Sequence, residues 1–129
     1  MQVNTKIGLT LLAGVAIGAV AVEVLHAQAT PPSYVVTDIA EISDPEGFKV
    51  VSQRPQAEAA ARVQQAGGRY ITRTDKITAL DGAPPKRMII IAFDSLEKAQ
   101  AFNNSQGQKE INAIRTKTTK SRSFIVQGL

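Results

Sequence analysis

The side chains of this sequence that could do chemistry are mainly basic and phenolic. Arg69 and Arg73 lie four residues apart in the segment R-Y-I-T-R, with Tyr70 between them. Because side chains alternate along a strand, an extended backbone would place both guanidinium groups on one face and the phenol on the other. Such a pair could bind a carboxylate or enolate bidentately and stabilise developing negative charge. The alternative is that both arginines lie at the sheet rim and pair with Asp75, Asp81 or a partner subunit.

Three further residues are candidates for the same site. Arg87 follows Lys86 just before an apolar run and is close in sequence to Asp81, so it could recognise an anion or anchor the loop through a salt bridge. Tyr34 and Tyr70 could donate or accept a proton in a dry pocket, although a buried, hydrogen-bonded tyrosine is the commoner case. The predicted ligand-binding residues are Tyr34, Arg69, Tyr70, Arg73, Asp81 and Arg87. No catalytic residue is assigned.

Histidine and cysteine are nearly absent, which limits the possible chemistry. The sequence has one histidine, His26, and no cysteine. If the N-terminal segment that contains His26 is removed, the remaining chain has neither residue type. This excludes four kinds of site: zinc bound by Cys, haem bound by His, a Ser-His-Asp triad and a cysteine nucleophile. It also excludes a disulfide. We therefore expect no cofactor and no bound metal.

Residues 1–29 have the pattern of an export signal. A short polar start with one lysine precedes Ile7–Val22, which is uncharged and mostly apolar. As a helix this run would reach roughly 24 Å, less than the roughly 30 Å of a bilayer core. The segment A-Q-A at 27–29 then supplies the small-x-small pattern that signal peptidase accepts. We predict a signal peptide over 1–29 and a periplasmic or secreted protein; the alternative is a retained N-terminal membrane anchor.

The charge balance is basic but does not indicate a nucleic-acid partner. Removal of residues 1–29 leaves 15 − 1 = 14 basic and 11 − 1 = 10 acidic side chains, a net charge of +4. A basic run near the C-terminus comprises Arg115, Lys117, Lys120 and Arg122. No aromatic residues interleave with it, and export would remove it from nucleic acid. We interpret this run as a solvated helix end favoured by the helix dipole, with contact to anionic envelope surfaces as the alternative.

The first half of the chain has patterns for one strand and one interrupted helix. Residues 30–33, T-P-P-S, form a linker, since each proline disfavours helix at the residue before it. Tyr34–Ile39 alternates in polarity and is rich in β-branched residues, which predicts a strand. Asp44, followed by Pro and Glu, is a strong helix start. Pro55 should kink or split this helix, and Gly67-Gly68 should end it.

The second half continues with three strands and two helices. The strands are predicted over Arg69–Thr74, with an extension at Ile77–Leu80, over Met88–Phe93 and over Ser123–Gln127. The first helix is capped at Asp94-Ser95 and directs Leu96, Ala99 and Phe102 inward. The second runs over about Gly107–Thr119 and directs Ile111 and Ile114 inward. Met88–Phe93 reads M-I-I-I-A-F and is apolar at every position. That pattern is typical of a strand covered on both faces, so we place it in the sheet interior.

The order β-α-β-β-α-β is the split βαβ arrangement of an α+β, ferredoxin-like fold. It gives a four-stranded antiparallel sheet with helices on one face. The apolar strand Met88–Phe93 nevertheless requires cover on both faces. A second copy of the same sheet is the economical cover, so the sequence predicts a homodimer with a cavity between or beneath the sheets.

Several motifs of this chain resemble a small bacterial family known as domain of unknown function 1330. The matching motifs are Asp44-Pro45-Glu46 with Phe48, Gly67-Gly68-Arg69-Tyr70, Leu80-Asp81-Gly82, Pro85-Lys86-Arg87 before the Met88–Phe93 strand, and Ser95 with Ala99. The resemblance runs from about Ser33 to Gly128 and implies one domain over 34–128. Members of the family are similar to the dimeric α/β-barrel superfamily, in which two ferredoxin-like subunits pack sheet to sheet.

The resemblance widens the range of functions without choosing among them. That superfamily includes cofactor-free monooxygenases, lactone isomerases, haem-degrading enzymes and proteins of no known activity. In place of the Ser-Pro-Glu-Tyr segment usual in the family, this chain has S-Q-G-Q at 105–108, so that Tyr and Glu are missing. Three hypotheses follow: a module that encloses a small, anionic organic ligand, a cofactor-independent enzyme, or a structural or interaction module.

Overall fold

A computed structural model describes residues 30–129 of the chain. The predicted signal peptide over 1–29, with its alternative as a membrane anchor, lies outside the described residues. The first strand begins at Ser33, the last residue of the predicted linker. Within residues 30–129 no helix is long and apolar enough to cross a membrane.

The described part of the chain contains four strands and four helices. The strands are β1 (Ser33–Ile42), β2 (Gly68–Thr74), β3 (Arg87–Phe93) and β4 (Thr119–Gln127). The helices are α1 (Pro45–Ser52), α2 (Gln56–Gln65), α3 (Leu96–Asn104) and α4 (Gln106–Thr118). Every predicted strand and helix is therefore present, although the Ile77–Leu80 extension is wrong. Leu80 is 99% exposed in the irregular loop between β2 and β3.

The four strands form one antiparallel sheet in the order β2-β3-β1-β4. This order confirms the α+β, ferredoxin-like fold and places β3 in the interior of the sheet, as its apolar sequence predicted. Alternate side chains of β1, among them Val35 and Ile39, are buried beneath the helices. We call this side of the sheet the helix face and the other side the far face.

Local signals in the sequence fix where the helices begin and end. The Asp44 side chain accepts a hydrogen bond of 3.1 Å from the N–H of Gly47 and caps α1. Pro55 separates α1 from α2, as predicted, because proline cannot donate the backbone hydrogen bond that a continuous helix needs. Gly67 ends the second helix with φ of 81°, a conformation that glycine adopts without a steric penalty. Ser95 accepts from the N–H of Lys98 and caps α3.

The main core lies between the helix face and helices α2 and α3. Its buried residues are Val35, Val63, Ile91, Phe93, Ala99 and Phe102. The rings of Phe93 and Phe102 lie 5.1 Å apart, centroid to centroid. A side chain at Gly68 would meet the Phe93 ring at 2.5 Å, so the close approach of β2 to this core requires glycine.

Helix α4 does not pack as its sequence predicts. Ile111 and Ile114 are only half-buried, whereas Gln108, Arg115 and Thr118 are the buried residues of this helix. Arg115 is 8% exposed, so the interpretation of this residue as part of a solvated helix end is wrong. The guanidinium group of Arg115 therefore lies beneath the sheet, where it forms part of the candidate site.

Candidate functional site

A β-bulge in β2 decides which of its side chains share a face. Tyr70 pairs with Ile91, but the next paired residue of β2 is Thr72, so Ile71 is the extra residue of the bulge. A bulge shifts the alternation of side chains by one position. Tyr70 and Arg73 consequently both point to the helix face, and Arg69 points to the far face. The predicted pairing of Arg69 with Arg73 on one face is therefore wrong.

A cavity of about 60 Å³ lies between the helix face of the sheet and the helices. The residues that line it are Val35, Thr37, Phe48, Val51, Ser52, Arg54, Ala59, Arg62, Tyr70, Arg73, Arg87, Ile89, Ile91, Gln108, Ile111 and Arg115. At about 30 Å³ for each water, a space of this size would hold about two waters. The cavity is partly open to solvent, so an organic molecule bound there would extend beyond the enclosed space. The cavity is lined by residues of a single chain and lies beneath the sheet, which is one of the two places that the sequence left open.

Arginine dominates the polar lining of this cavity. Five guanidinium groups line it: Arg54 from the segment between α1 and α2, Arg62 from α2, Arg73 from β2, Arg87 from β3 and Arg115 from α4. Among the described lining residues there is no Asp or Glu. The remaining lining is apolar, apart from hydroxyl and amide groups. Arg54 is paired with Glu58, which lies outside the lining, at 3.9 Å. The other like charges repel one another in a partly dry space, so an anion in the cavity would be favoured.

Arg73 is held in place by the end of α1. Its Nη1 donates to the carbonyl of Arg54 at 3.3 Å, and its Nη2 donates to the carbonyl of Val51 at 3.2 Å and that of Ser52 at 3.4 Å. These carbonyls are left free where Pro55 interrupts the helix. Carbonyl oxygens orient the guanidinium group without neutralising it, so the positive charge of Arg73 remains available to the cavity.

Arg87 lies beside Arg73 at the same end of the cavity. Burial lowers the pKa of Arg87, and the neighbouring charge of Arg73 lowers it further, while Asp75 and Tyr70 raise it. The positive charge of Arg73 therefore repels that of Arg87 and disfavours its charged form. An anion bound between them would remove this repulsion.

Arg115 lies at the opposite side of the cavity, next to a pair of hydroxyl groups. Its Nη2 donates to Ser123 Oγ at 3.1 Å, and Ser123 Oγ lies 2.8 Å from Thr37 Oγ1. Its Nε is buried and makes no hydrogen bond within the described part of the chain. Burial lowers the pKa of Arg115. The group is thus a buried cation with an unused donor, which is a costly arrangement unless a ligand completes it.

Arg62 is positioned by a chain of amide side chains. Its Nη1 donates to Gln108 Oε1 at 2.8 Å, Gln108 Nε2 donates to Asn112 at 2.9 Å, and Asn112 donates to Asn103 at 3.1 Å. The guanidinium carbon lies 5.2 Å from the centroid of the Phe102 ring, which is cation–π distance. The Nε of Arg62 is, like that of Arg115, buried without a partner among the described residues.

The structure brings together half of the predicted site residues. Tyr70, Arg73 and Arg87 all line the cavity. Tyr34 and Arg69 lie on the far face of the sheet, and Asp81 is exposed in the loop between β2 and β3. These last three do not line the cavity.

Sequence reasoning missed the arginines that come from helices. Arg62 directly precedes the buried Val63, and Arg115 lies four residues after Ile111 and seven after Gln108. That spacing puts Arg115 on the inward face of α4, and helical periodicity carried through the basic run would have indicated it. The charge of Arg115 instead led to its assignment to the solvent.

Comparison with known proteins gives a family and a fold. The sequence model of the family described as "Domain of unknown function (DUF1330)" matches residues 32–129. No curated protein matches the chain.

Several solved structures share the fold at low sequence identity. A protein of unknown function from Rhodopseudomonas palustris has a TM-score of 0.57 at 12% identity, over 84% of this chain and 92% of that one. A dimeric ferredoxin-like protein of unknown function from Thermobifida fusca has a TM-score of 0.55 at 10% identity, over 77% and 92%. SnoaB, a cofactor-independent oxygenase from Streptomyces nogalater, has a TM-score of 0.52 at 12% identity, over 78% and 95%. At these identities the similarity shows the fold alone.

Proposed function

The chain belongs to the family described as domain of unknown function 1330, and we propose that it is an exported, homodimeric protein that binds a small organic anion. The binding site is the cavity between the helix face and the helices. The observation that carries the proposal is its lining of five arginines without a carboxylate among the described lining residues.

The burial of Arg115 gives the proposal its energetic basis. A charge removed from water is destabilising by several kcal/mol unless it is paired, and a buried donor without a partner costs about 1–3 kcal/mol. Arg115 is 8% exposed and its Nε is unpartnered. A carboxylate placed in the cavity would supply both the compensating charge and the missing acceptor. An anion bound beside Arg115 would therefore stabilise the folded protein.

The lining favours binding over catalysis. Apart from arginine, Tyr70 is the one ionisable side chain among the described lining residues. Arginine remains protonated at neutral pH and cannot serve as a general base. The fold shared with SnoaB keeps a cofactor-independent enzyme as the second candidate function, in which Tyr70 would be the proton acceptor. Recovery of a bound acid chemically unchanged after prolonged incubation supports the binding function, and its conversion supports the enzyme.

The far face of the sheet supports the homodimer. Ile90, Val36 and Phe124 are aligned across three neighbouring strands on this face. Phe124 and Val126 are each 43% exposed. Contiguous apolar groups on a sheet face are typical of a protein–protein interface, and a two-fold pairing of identical sheets would cover them.

Export is proposed from residues 1–29 alone. Mass measurement of the protein recovered from the periplasm or medium tests it. A mass equal to that of residues 30–129 is the expected result, and recovery of the full chain from the cytoplasm would contradict it.

Thermal unfolding in the presence of organic acids tests the binding function. We would measure Tm in a buffer free of phosphate, sulfate and carboxylates, and then with each of a panel of short carboxylic acids. Sodium chloride at equal ionic strength is the reference, since screening alone changes surface electrostatics. At least one acid should raise Tm well above that reference, because a ligand at 100 times its Kd stabilises the folded state by about 2.7 kcal/mol.

Two variants with the same change of charge show where the anion binds. Arg87→Gln removes a guanidinium group from the cavity, whereas Arg69→Gln removes one from the far face of β2. The first should abolish most of the stabilisation by the acid, and the second should preserve it. A panel in which no acid exceeds the chloride reference would refute the binding function.

A further inference from the structure

The cationic groups of the cavity lie in two separate places, and we propose that its ligand is a short dicarboxylate with one carboxylate held at each. This inference rests on the binding function proposed above and specifies the class of ligand. We call the two places the hydroxyl pole, formed by Arg115, Ser123 and Thr37, and the arginine pair, formed by Arg73 and Arg87.

The hydroxyl pole can receive one carboxylate. The buried Nε of Arg115 has no partner among the described residues, and its Nη2 is 3.1 Å from Ser123 Oγ. Thr37 lines the cavity, whereas Ser123 is exposed and lies outside the lining. When Ser123 donates the 2.8 Å hydrogen bond to Thr37, the hydrogen of the Thr37 hydroxyl can be donated to a ligand. A guanidinium edge together with a hydroxyl donor matches the oxygens of a carboxylate.

The arginine pair can receive the second carboxylate. Both Nη atoms of Arg73 donate to neutral acceptors, namely the carbonyls that end α1 and, at 3.1 Å, Gln56 Oε1. Arg73 therefore offers a ligand its uncompensated charge more than its Nη hydrogens. Arg73 pairs with Ile89, and Arg87 lies two residues before Ile89 on the same face of β3, so the two arginines are diagonal neighbours on the sheet. The charge of Arg73 disfavours the charged form of Arg87, whereas the charge of Asp75 favours it. A carboxylate between the two guanidinium groups would be attracted by both and would replace their repulsion.

The strand register sets the distance between the two places. Arg73, Ile89, Thr37 and Ser123 form one row across β2, β3, β1 and β4, since each is paired with the next. Neighbouring strands lie about 4.8 Å apart, so Arg73 and Ser123 are separated by about 14 Å at the backbone. The donor atoms lie at the tips of side chains, so the gap that a ligand must span is shorter than this backbone separation. A four- or five-carbon chain with a carboxylate at each end, plus a hydrogen bond of about 3 Å at each, therefore marks the upper limit of length.

The lining between the two places is apolar. Ile89 lies in the same row, between the arginine pair and Thr37, and Val35 and Ile91 form the adjacent row of the cavity floor. Methylene groups of a short dicarboxylate would contact these side chains. A monocarboxylate of the same length would instead leave one cationic place unpaired and put its methyl end beside charge. Both the separation of the cations and the floor between them therefore favour a ligand with two anionic ends.

Three probe molecules of matched length test this inference on the full protein by isothermal titration calorimetry. Succinate carries two carboxylates, succinamate replaces one of them by an amide of the same shape, and butyrate replaces it by a methyl group. We expect succinate to bind roughly ten- to a hundredfold more tightly than succinamate, as the gain of one charge-assisted contact predicts. Butyrate should bind no better than succinamate. Glutarate is the five-carbon counterpart.

A variant locates the second carboxylate. Arg87→Gln should reduce the affinity for succinate to about that for succinamate and should change the affinity for succinamate little. Arg69→Gln, on the far face, should leave all three affinities unchanged. Comparison of succinate with succinamate in the unaltered protein needs no variant, so the inference can be tested even if Arg87→Gln does not fold.

The outcomes separate this inference from the function on which it rests. If succinamate or butyrate binds as tightly as succinate and glutarate, the two-ended ligand is refuted but the anion-binding function stands. If Arg87→Gln folds and still prefers succinate over succinamate, the assignment of the second carboxylate is refuted. If none of these acids binds and no acid of the wider panel raises Tm, both proposals are refuted.

Discussion

Replacement of the buried Arg115 should make the unliganded protein more stable while it removes ligand binding. Arg115→Met keeps a long, flexible side chain of similar volume in the cavity wall but deletes the charge. A buried cation without its ligand lowers the stability of the folded protein, although the same cation is needed for binding. The substitution should therefore raise stability and remove binding.

The size of the effect follows from the contacts of this side chain. Removal of Arg115 eliminates one unpartnered buried Nε and the desolvation of a cation, which together are destabilising by several kcal/mol. It also deletes the 3.1 Å hydrogen bond to Ser123, worth about 1.5–3 kcal/mol, although that hydroxyl keeps its bond to Thr37. The net expectation is a gain of about 1–3 kcal/mol in the free energy of unfolding. For a domain of this size, each kcal/mol raises Tm by about 4–8 °C.

Denaturant and thermal unfolding in a buffer without organic acids or phosphate would measure the gain. Burial lowers the pKa of Arg115, which makes the charged form unfavourable in the folded state. That penalty is fully present below the folded-state pKa and is relieved only as the pH rises through it. Because an arginine stays protonated throughout the neutral range, the difference between variant and unaltered protein should be constant from about pH 6 to 9.

Lys117→Met is the matched control for this substitution. It makes the same change of charge two residues further along α4, where the side chain is exposed. Such surface substitutions usually change stability by less than about 0.5 kcal/mol. If Arg115→Met were less stable than the unaltered protein in the absence of anions, Arg115 would be a structural residue held by Ser123. The argument for a site poised to receive an anion would then fail.

Three further predictions concern the scaffold. Gly68→Ala should lower the free energy of unfolding by about 1–3 kcal/mol, because its Cβ would lie 2.5 Å from the Phe93 ring. Gly107→Ala is the control: the position in α4 has open space around it, so the change should be neutral or stabilising by up to about 1 kcal/mol. Equal effects of the two changes in urea unfolding would contradict the assigned packing. Asp44→Ala should cost about 1 kcal/mol through the lost cap of α1, whereas Asp44→Asn should cost much less; equal losses in the two variants would show that the cap is not the cause. Phe124→Asp should convert the dimer to a folded monomer in light scattering at micromolar concentration, and a protein that is a monomer before the substitution would contradict the proposed far-face interface.

Much of the fold could be predicted because its signals are local. Asp44 before a proline, Pro55 within a helical pattern and the glycine at 67 each determine the backbone within a few residues. The apolar run of β3 likewise indicates an interior strand by its composition alone. The extension at Ile77–Leu80 failed because a short β-branched segment forms a strand only where a neighbouring strand offers hydrogen bonds.

The site was harder to predict because it depends on contacts between distant residues. The bulge at Ile71 put Arg73 on the opposite face of the sheet from Arg69, and simple alternation along a strand cannot anticipate such an insertion. Arg62 and Arg115 reached the cavity from two helices that lie far apart in sequence.

The sequence itself determines the order of elements and the helix boundaries, since these depend on neighbours along the chain. It also determines which basic side chains are present. Tertiary structure alone decided which arginines point into the cavity. A guanidinium group on an amphipathic helix is solvated or buried according to what packs against it. For Arg115 the partner is the Ser123 hydroxyl on β4, which is itself hydrogen-bonded to Thr37 on β1. The candidate anion site therefore arises where sheet and helices meet. The sequence placed Tyr70, Arg73 and Arg87 in one site, but it did not indicate that Arg62 and Arg115 would join them.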